Sequence, residues 1–180
     1  MSSPETHAKT GNLAVTLATW LYILDRAGHR PDHAGIVAAL DAVHEAGGGD
    51  AAEAIGRKLA EAVITDLGSA ADFGSVQAWL SGMFGADHIA TDFGPDRGPR
   101  TRAIRSYEFQ SSLPWVACII DRFANGVVGP HWVLVERVTD VVTCMDPYPW
   151  DDLDEEYSQP LVEFMVKWEL AGSQSLRWST

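Results

Sequence analysis

The chain reads as α+β, with helices in its first half and a mostly antiparallel sheet in its second. Two patterns predict this. Apolar residues recur at helical spacing through Met83, and β-branched apolar runs separated by turn residues dominate from Tyr107 onward. Their order, helices first and strands second, is that of an α+β domain. No repeat, heptad seam or low-complexity tract interrupts it, so residues 1–180 are expected to form a single domain. Its helical half would run from about 10 to 85 and its sheet half from about 105 to 180.

Leu13, Leu17, Trp20, Leu21 and Leu24 form one apolar stripe, and Gly28 follows as a stop. The first long helix is therefore expected to begin near Thr10-Gly11-Asn12. Asp32 is the expected cap of a second helix that carries Ile36, Leu40 and Val43 and ends at Gly47-Gly48-Gly49. Asp50 starts a third helix with Ile55, Leu59 and Val63. A fourth runs from about Ser75 through Val76, Trp79, Leu80 and Met83. A short extended stretch, His88 to Thr91, leads into a loop with Gly94, Pro95, Gly98 and Pro99. That loop clusters Arg97, Arg100, Arg102 and Arg105. It reads as a solvated loop balancing an acidic surface, or as a clamp for a carboxylate or phosphate.

The second half carries the chemistry. Pro114-Trp-Val-Ala-Cys-Ile-Ile is followed by a turn at Asn125-Gly126, and then by a strand that His131 opens. A turn at Thr139-Asp140 folds that strand onto the next, which Asp146 closes before Pro147. Counting from the turn, His131 and Asp146 fall near the same end of the hairpin, where they are expected to hydrogen-bond. A histidine beside a carboxylate is an oriented base or acid. One more helix is expected near Pro160 to Leu170.

Composition bounds the partners. Hydrophobic residues make up 46% of the 180, enough for a real core. No apolar stretch approaches the ~20 residues of a membrane span. Met1 to Thr10 lacks the apolar core of a signal peptide, so a cytoplasmic location is expected. Two cysteines make no disulfide framework. The net charge of −12, from 25 acids against 13 bases, argues against nucleic acid or an anionic membrane as partner.

Pro114, His131-Trp132-Val133 and Asp146-Pro147 resemble the second half of papain-like cysteine peptidases, in particular the bacteriocin-leader peptidase branch. Ser158, Phe164 and Trp168 take the place of that family's trailing helix, and Gln174 to Trp178 that of its last strand. The resemblance covers about the C-terminal third. It implies a papain-like fold in which His131 and Asp146 are catalytic residues beside a substrate cleft. In the family, a cysteine at the N-terminus of the first long helix is the nucleophile, and an oxyanion-hole glutamine precedes it. Here Gly11 or Asn12 stands at the nucleophile's place. With Gly11 there, Glu5 stands at the glutamine's, and no Gln occurs before Gln77. A thiolate at a helix N-terminus works because the dipole lowers its pKa and the paired histidine holds its proton. Gly and Asn supply no thiol. Gly11 and Asn12 would instead offer free N–H groups to a carboxylate or carbonyl oxygen, with the helix end facing His131. Trp132 would be a binding residue next to them.

Of the two cysteines, Cys144 is two residues from Asp146 and so shares its strand face. That makes it a candidate catalytic thiol. Cys118 lies on the preceding strand, and both cysteines read as core. His29 and His33 have metal-ligand spacing, but Pro31 lies between them, and a capping and turn role is the better reading. Gly47-Gly48-Gly49-Asp50 lacks the Lys-Ser/Thr of a phosphate loop. Asp151, Asp152, Asp154, Glu155 and Glu156 lack the central glycine of a calcium loop and read as a solvated acidic loop. No cofactor or metal is expected.

Three functions remain open. The first is a degenerate peptidase-like domain that binds a peptide or carrier-bound acyl chain without Cys-dependent hydrolysis. The second is an active amide or thioester hydrolase or acyltransferase using His131 and Asp146. The third is a protein-interaction module. Oligomeric state is not legible.

Overall fold

In the computed structural model, residues 4–47, 50–68, 72–90, 113–122, 126, 128–146 and 156–179 are described, with 4–12 and 52 described through the backbone alone. The arginine cluster and the run Asp151–Glu155 lie outside them, as do Gly48, Gly49 and Asn125. The chain divides into two compact units, Met1–Ile89 and Ala90–Ser179.

The first unit is helical because its apolar residues repeat on one face. In α1 (Pro4–Arg26), Leu13, Leu17, Trp20, Leu21 and Leu24 are all buried. This helix begins about two turns before the expected start. Pro4 suits a first helical position, since its φ is preset and a first-turn N–H needs no partner. The residues up to Asn12 carry no apolar stripe, so periodicity did not register them. The correction matters: Gly11 and Asn12 lie inside the helix, where each N–H is used by the carbonyl four residues back. They are not a helix N-terminus. At the other end, Gly28 takes the left-handed corner at φ +93°.

The cap of α2 (Ala34–Ala46) is His33, not Asp32: the His33 ring accepts the Ile36 N–H. Asp32 instead donates its own N–H to the Met83 carbonyl at 2.8 Å. The third expected helix is real but interrupted. α3 (Asp50–Ala54) passes through a π-helical turn (Ile55–Leu59) into α4 (Ala60–Leu67). Ile55, Leu59 and Val63 all point inward. α5 (Phe73–Phe84) is capped by Asp72, which accepts the Ser75 N–H at 2.7 Å. A 3₁₀ turn (Ala86–His88) leads to β1 (Ile89–Ala90) at the unit boundary.

The second unit is built on a sheet of order β1-β6-β2-β3-β4-β5. Its strands are β2 (Trp115–Arg122), β3 (Val128–Val138), β4 (Val141–Met145), β5 (Glu156–Pro160) and β6 (Ser175–Trp178). The pairings β6–β2, β2–β3, β3–β4 and β4–β5 are all antiparallel. A bulge interrupts the β3–β4 register between Val135 and Arg137. α6 (Leu161–Leu170) lies on one face. There Trp115, Ala117, Ile119, Val133, Val135, Val142 and Cys144 pack against Leu161, Phe164, Met165 and Trp168. Trp115 and Phe164 meet edge to face, with ring centroids 6.2 Å apart. Val116, Cys118, Leu134 and Leu176 are buried on the opposite face. This explains why β2 reads as a continuous apolar run rather than an alternation. β5 was not expected, and Ser158 belongs to it rather than to the trailing helix. Among the described residues, no helix is long and apolar enough to cross a membrane.

Candidate functional site

Strand alternation places the site. Val133 and Val135 face α6, so His131, two residues earlier on β3, faces the same way. Val142 and Cys144 face α6 from β4, and Asp146 follows them in phase. The pair meets: His131 Nε2 lies 2.6 Å from Asp146 Oδ2. The expected hydrogen bond is present. Its two ends differ in access, with the His131 side chain 5% exposed and Asp146 19%. The other imidazole nitrogen, Nδ1, is buried. Asp146 is therefore the edge of the pair that an outside molecule meets first.

Two residues that sequence reasoning passed over lie beside it. Ile119 is the cross-strand partner of His131, and Asp121 is two residues further along β2 on the same face. That makes Asp121 a diagonal neighbour of His131, at about 7–8 Å by the geometry of such pairs. Asp121 holds the Lys167 ammonium of α6 at 3.3 Å. Part of the signal was available: β2 alternation puts Asp121 in phase with Ile119, while the register against His131 is given by the strand pairing. Tyr157, opposite Cys144 on β5 and further from His131, is within electrostatic reach of Asp146. Burial raises its phenol pKa, and the nearby Cys144, Asp121 and Asp146 raise it further.

Within the sheet unit, Cys144 and Trp132 are not gathered at His131. Cys144 is opposite Val135, four residues and roughly 13 Å of strand from His131. It is fully buried, and burial pushes its thiol up to about 12 despite hydrogen-bonding neighbours at Gln159 and Tyr157. Cys118 pairs with Trp132 on the opposite face from His131, and burial pushes its thiol to about 12 as well. Trp132 accordingly points away from the His131 face, half-buried. Neither thiol stands at a helix N-terminus, the position that would depress its pKa.

The helical unit holds two further histidine–carboxylate pairs. His44 Nε2 is 2.7 Å from Asp25 Oδ2, with the carboxylate buried and the imidazole 37% exposed. Arg30 also reaches Asp25, at 3.3 Å, and pairs with Asp41. His33 pairs with Asp66. Among the described residues, no three His, Cys, Asp or Glu side chains converge as a metal site. Compared with known proteins, the chain matches no family model, no curated protein and no solved structure.

Proposed function

We propose that this chain is a degenerate papain-like peptidase domain that binds a peptide or acyl chain beside His131 without Cys-dependent hydrolysis. The observation that carries the proposal is the His131–Asp146 bond, at the end of the hairpin where the resemblance placed it. The state of the two cysteines supports the non-hydrolytic half. Both are buried with raised pKa, so neither is a ready thiolate at neutral pH. The second reading, an amide or thioester hydrolase or acyltransferase, draws on the same bond. It requires the buried Nδ1 of His131 to be opened to a reactant, since Asp146 already holds Nε2; a histidine so oriented can activate water or a substrate-borne nucleophile without a protein thiol.

One experiment separates them. A random decapeptide pool and an octanoyl thioester are each titrated into the full chain, with His131 ring signals followed by NMR and hydrolysis followed in parallel. The proposal expects shifts at His131 without turnover, and loss of saturable binding in His131→Ala by calorimetry. Turnover that survives Cys118→Ser and Cys144→Ser together selects the second reading. Neither shifts nor turnover would reject both.

A further inference from the structure

His33 caps α2 in a way that ties the helix to one protonation state. Its Nδ1 accepts the Ile36 N–H at 3.1 Å, so the neutral ring carries its proton on Nε2. That Nε2–H donates to Asp66 Oδ2 on α4. The same oxygen accepts the Trp79 indole N–H of α5 at 3.1 Å. One ring nitrogen is thus an acceptor and the other a donor, and both are in use. The ring also lies against Gly35, where a Cβ would sit 3.2 Å from its Cε1.

We propose that His33 is a proton-sensitive cap: a proton added to its ring releases the first turn of α2 while the ring stays bound to Asp66. An imidazolium has two N–H donors and no acceptor. Its Nδ1–H would point at the Ile36 N–H, and the cap is lost. Its Nε2–H keeps Asp66, and the added charge makes that contact an ion pair. Such partly exposed pairs are similar in strength to a helix cap. The two effects oppose each other, so the response is local rather than a change in global stability. No acidic side chain in the first turn of α2 can stand in as acceptor. The charged groups around α2 are Asp32 just before the cap, Asp25 and Arg30 against His44 and Asp41, Asp50 and Glu53 of α3, Arg57 and Lys58 of the π turn, and Glu61 and Asp66 of α4. Of these, Asp66 alone bonds to His33.

The far end of α2 serves as an internal control. His44 lies in its last turn and pairs with Asp25. A cation at a helix C-terminus does not oppose the helix, and no cap of α2 depends on that ring. Acidification should therefore loosen α2 from its first turn only.

The test is NMR on the full chain between about pH 7.5 and 5.5, where imidazoles change charge. Corrected for intrinsic exchange, opening at the Ile36 amide should rise about five-fold, the size of a lost cap. It should follow the titration of the His33 ring, and amides in the last turn should hold. His33→Asn, whose amide oxygen caps without titrating, should keep Ile36 protected throughout. A wild type that does not respond, a His33→Asn variant that responds equally, or a neutral ring protonated on Nδ1 would each overturn the proposal. If His33→Asn does not fold, the wild-type titrations decide alone, and separate midpoints for the ring and the amide reject it.

Discussion

His131–Asp146 in the sheet unit and His44–Asp25 in the helical unit are the same two residue types at nearly the same distance, 2.6 and 2.7 Å. They differ in which partner is buried. In the sheet the imidazole is 5% exposed and the carboxylate 19%; between the helices the carboxylate is 5% and the imidazole 37%. Truncating a pair costs most when the partner left behind is buried, because it loses a hydrogen bond that water cannot replace. The architecture around a pair, rather than its chemistry, therefore decides which half the fold depends on.

The largest effect should come from the cysteines of the sheet unit. With both thiols pushed up to about 12, native Cys118 and Cys144 should react with a thiol reagent at least about thirtyfold more slowly than a free cysteine, the loss of thiolate outweighing its greater nucleophilicity. Absorbance on reaction with a chromogenic disulfide reads this directly. Rapid modification of Cys144 would place it outside the core and return it to the site.

Removing the support beneath the sheet pair comes next. Phe164→Ala empties a fully buried position under Trp115 and should cost about 3–5 kcal/mol in urea unfolding. In the variant's NMR spectrum, His131 signals should broaden or move while those of His44 stay. Equal disturbance of both would show that the two pairs are not separately supported.

The comparison itself predicts an asymmetry. Asp146→Ala leaves a buried imidazole and should cost about 1–3 kcal/mol. Asp25→Ala leaves an exposed imidazole and an exposed guanidinium, which water can serve, and should cost about 1 kcal/mol or less. Chemical denaturation of both variants checks the order, and a reversed order would break the argument.

The smallest effect concerns Glu136, at the β3 bulge. Burial raises its pKa, and the neighbouring Glu156 carboxylate raises it further, against a smaller opposing effect of Arg137. A carboxyl group whose folded pKa is raised favours folding fully below its unfolded value. That contribution disappears as pH rises through the folded value. Relative to an uncharged side chain of the same shape, the ionised group at neutral pH therefore disfavours folding. Glu136→Gln should raise the melting temperature at pH 7 by about 1–3 °C and flatten its decline between acid and neutral pH. An unchanged pH profile would mean the two carboxylates do not interact.

Much of the molecule was legible in the chain. The stripe Leu13 to Leu24 fixed the inward face of α1, and the run Trp115 to Ile120 announced a strand. The turn at Thr139-Asp140 brought His131 and Asp146 to one end of the hairpin; that they share a face depends on the bulge between Val135 and Arg137. The stripe, the run and the turn are local, so sequence pattern captures them. What escaped depends on partners distant in sequence or on backbone that carries no apolar signal. The polar first turns of α1 hid its start at Pro4. β5 is a strand because Glu156 to Pro160 can pair with β4, not because its sequence alternates. The π turn accommodates a buried Ile55 and Leu59 within one helical run, which packing decides and spacing does not. Lys167 paired with Asp121, and His33 rather than Asp32 as the cap of α2, became visible only when strands, helices and side-chain rotamers were set in space. Hydrogen-bond geometry acts over about 3 Å, and chain order alone does not resolve distances that short.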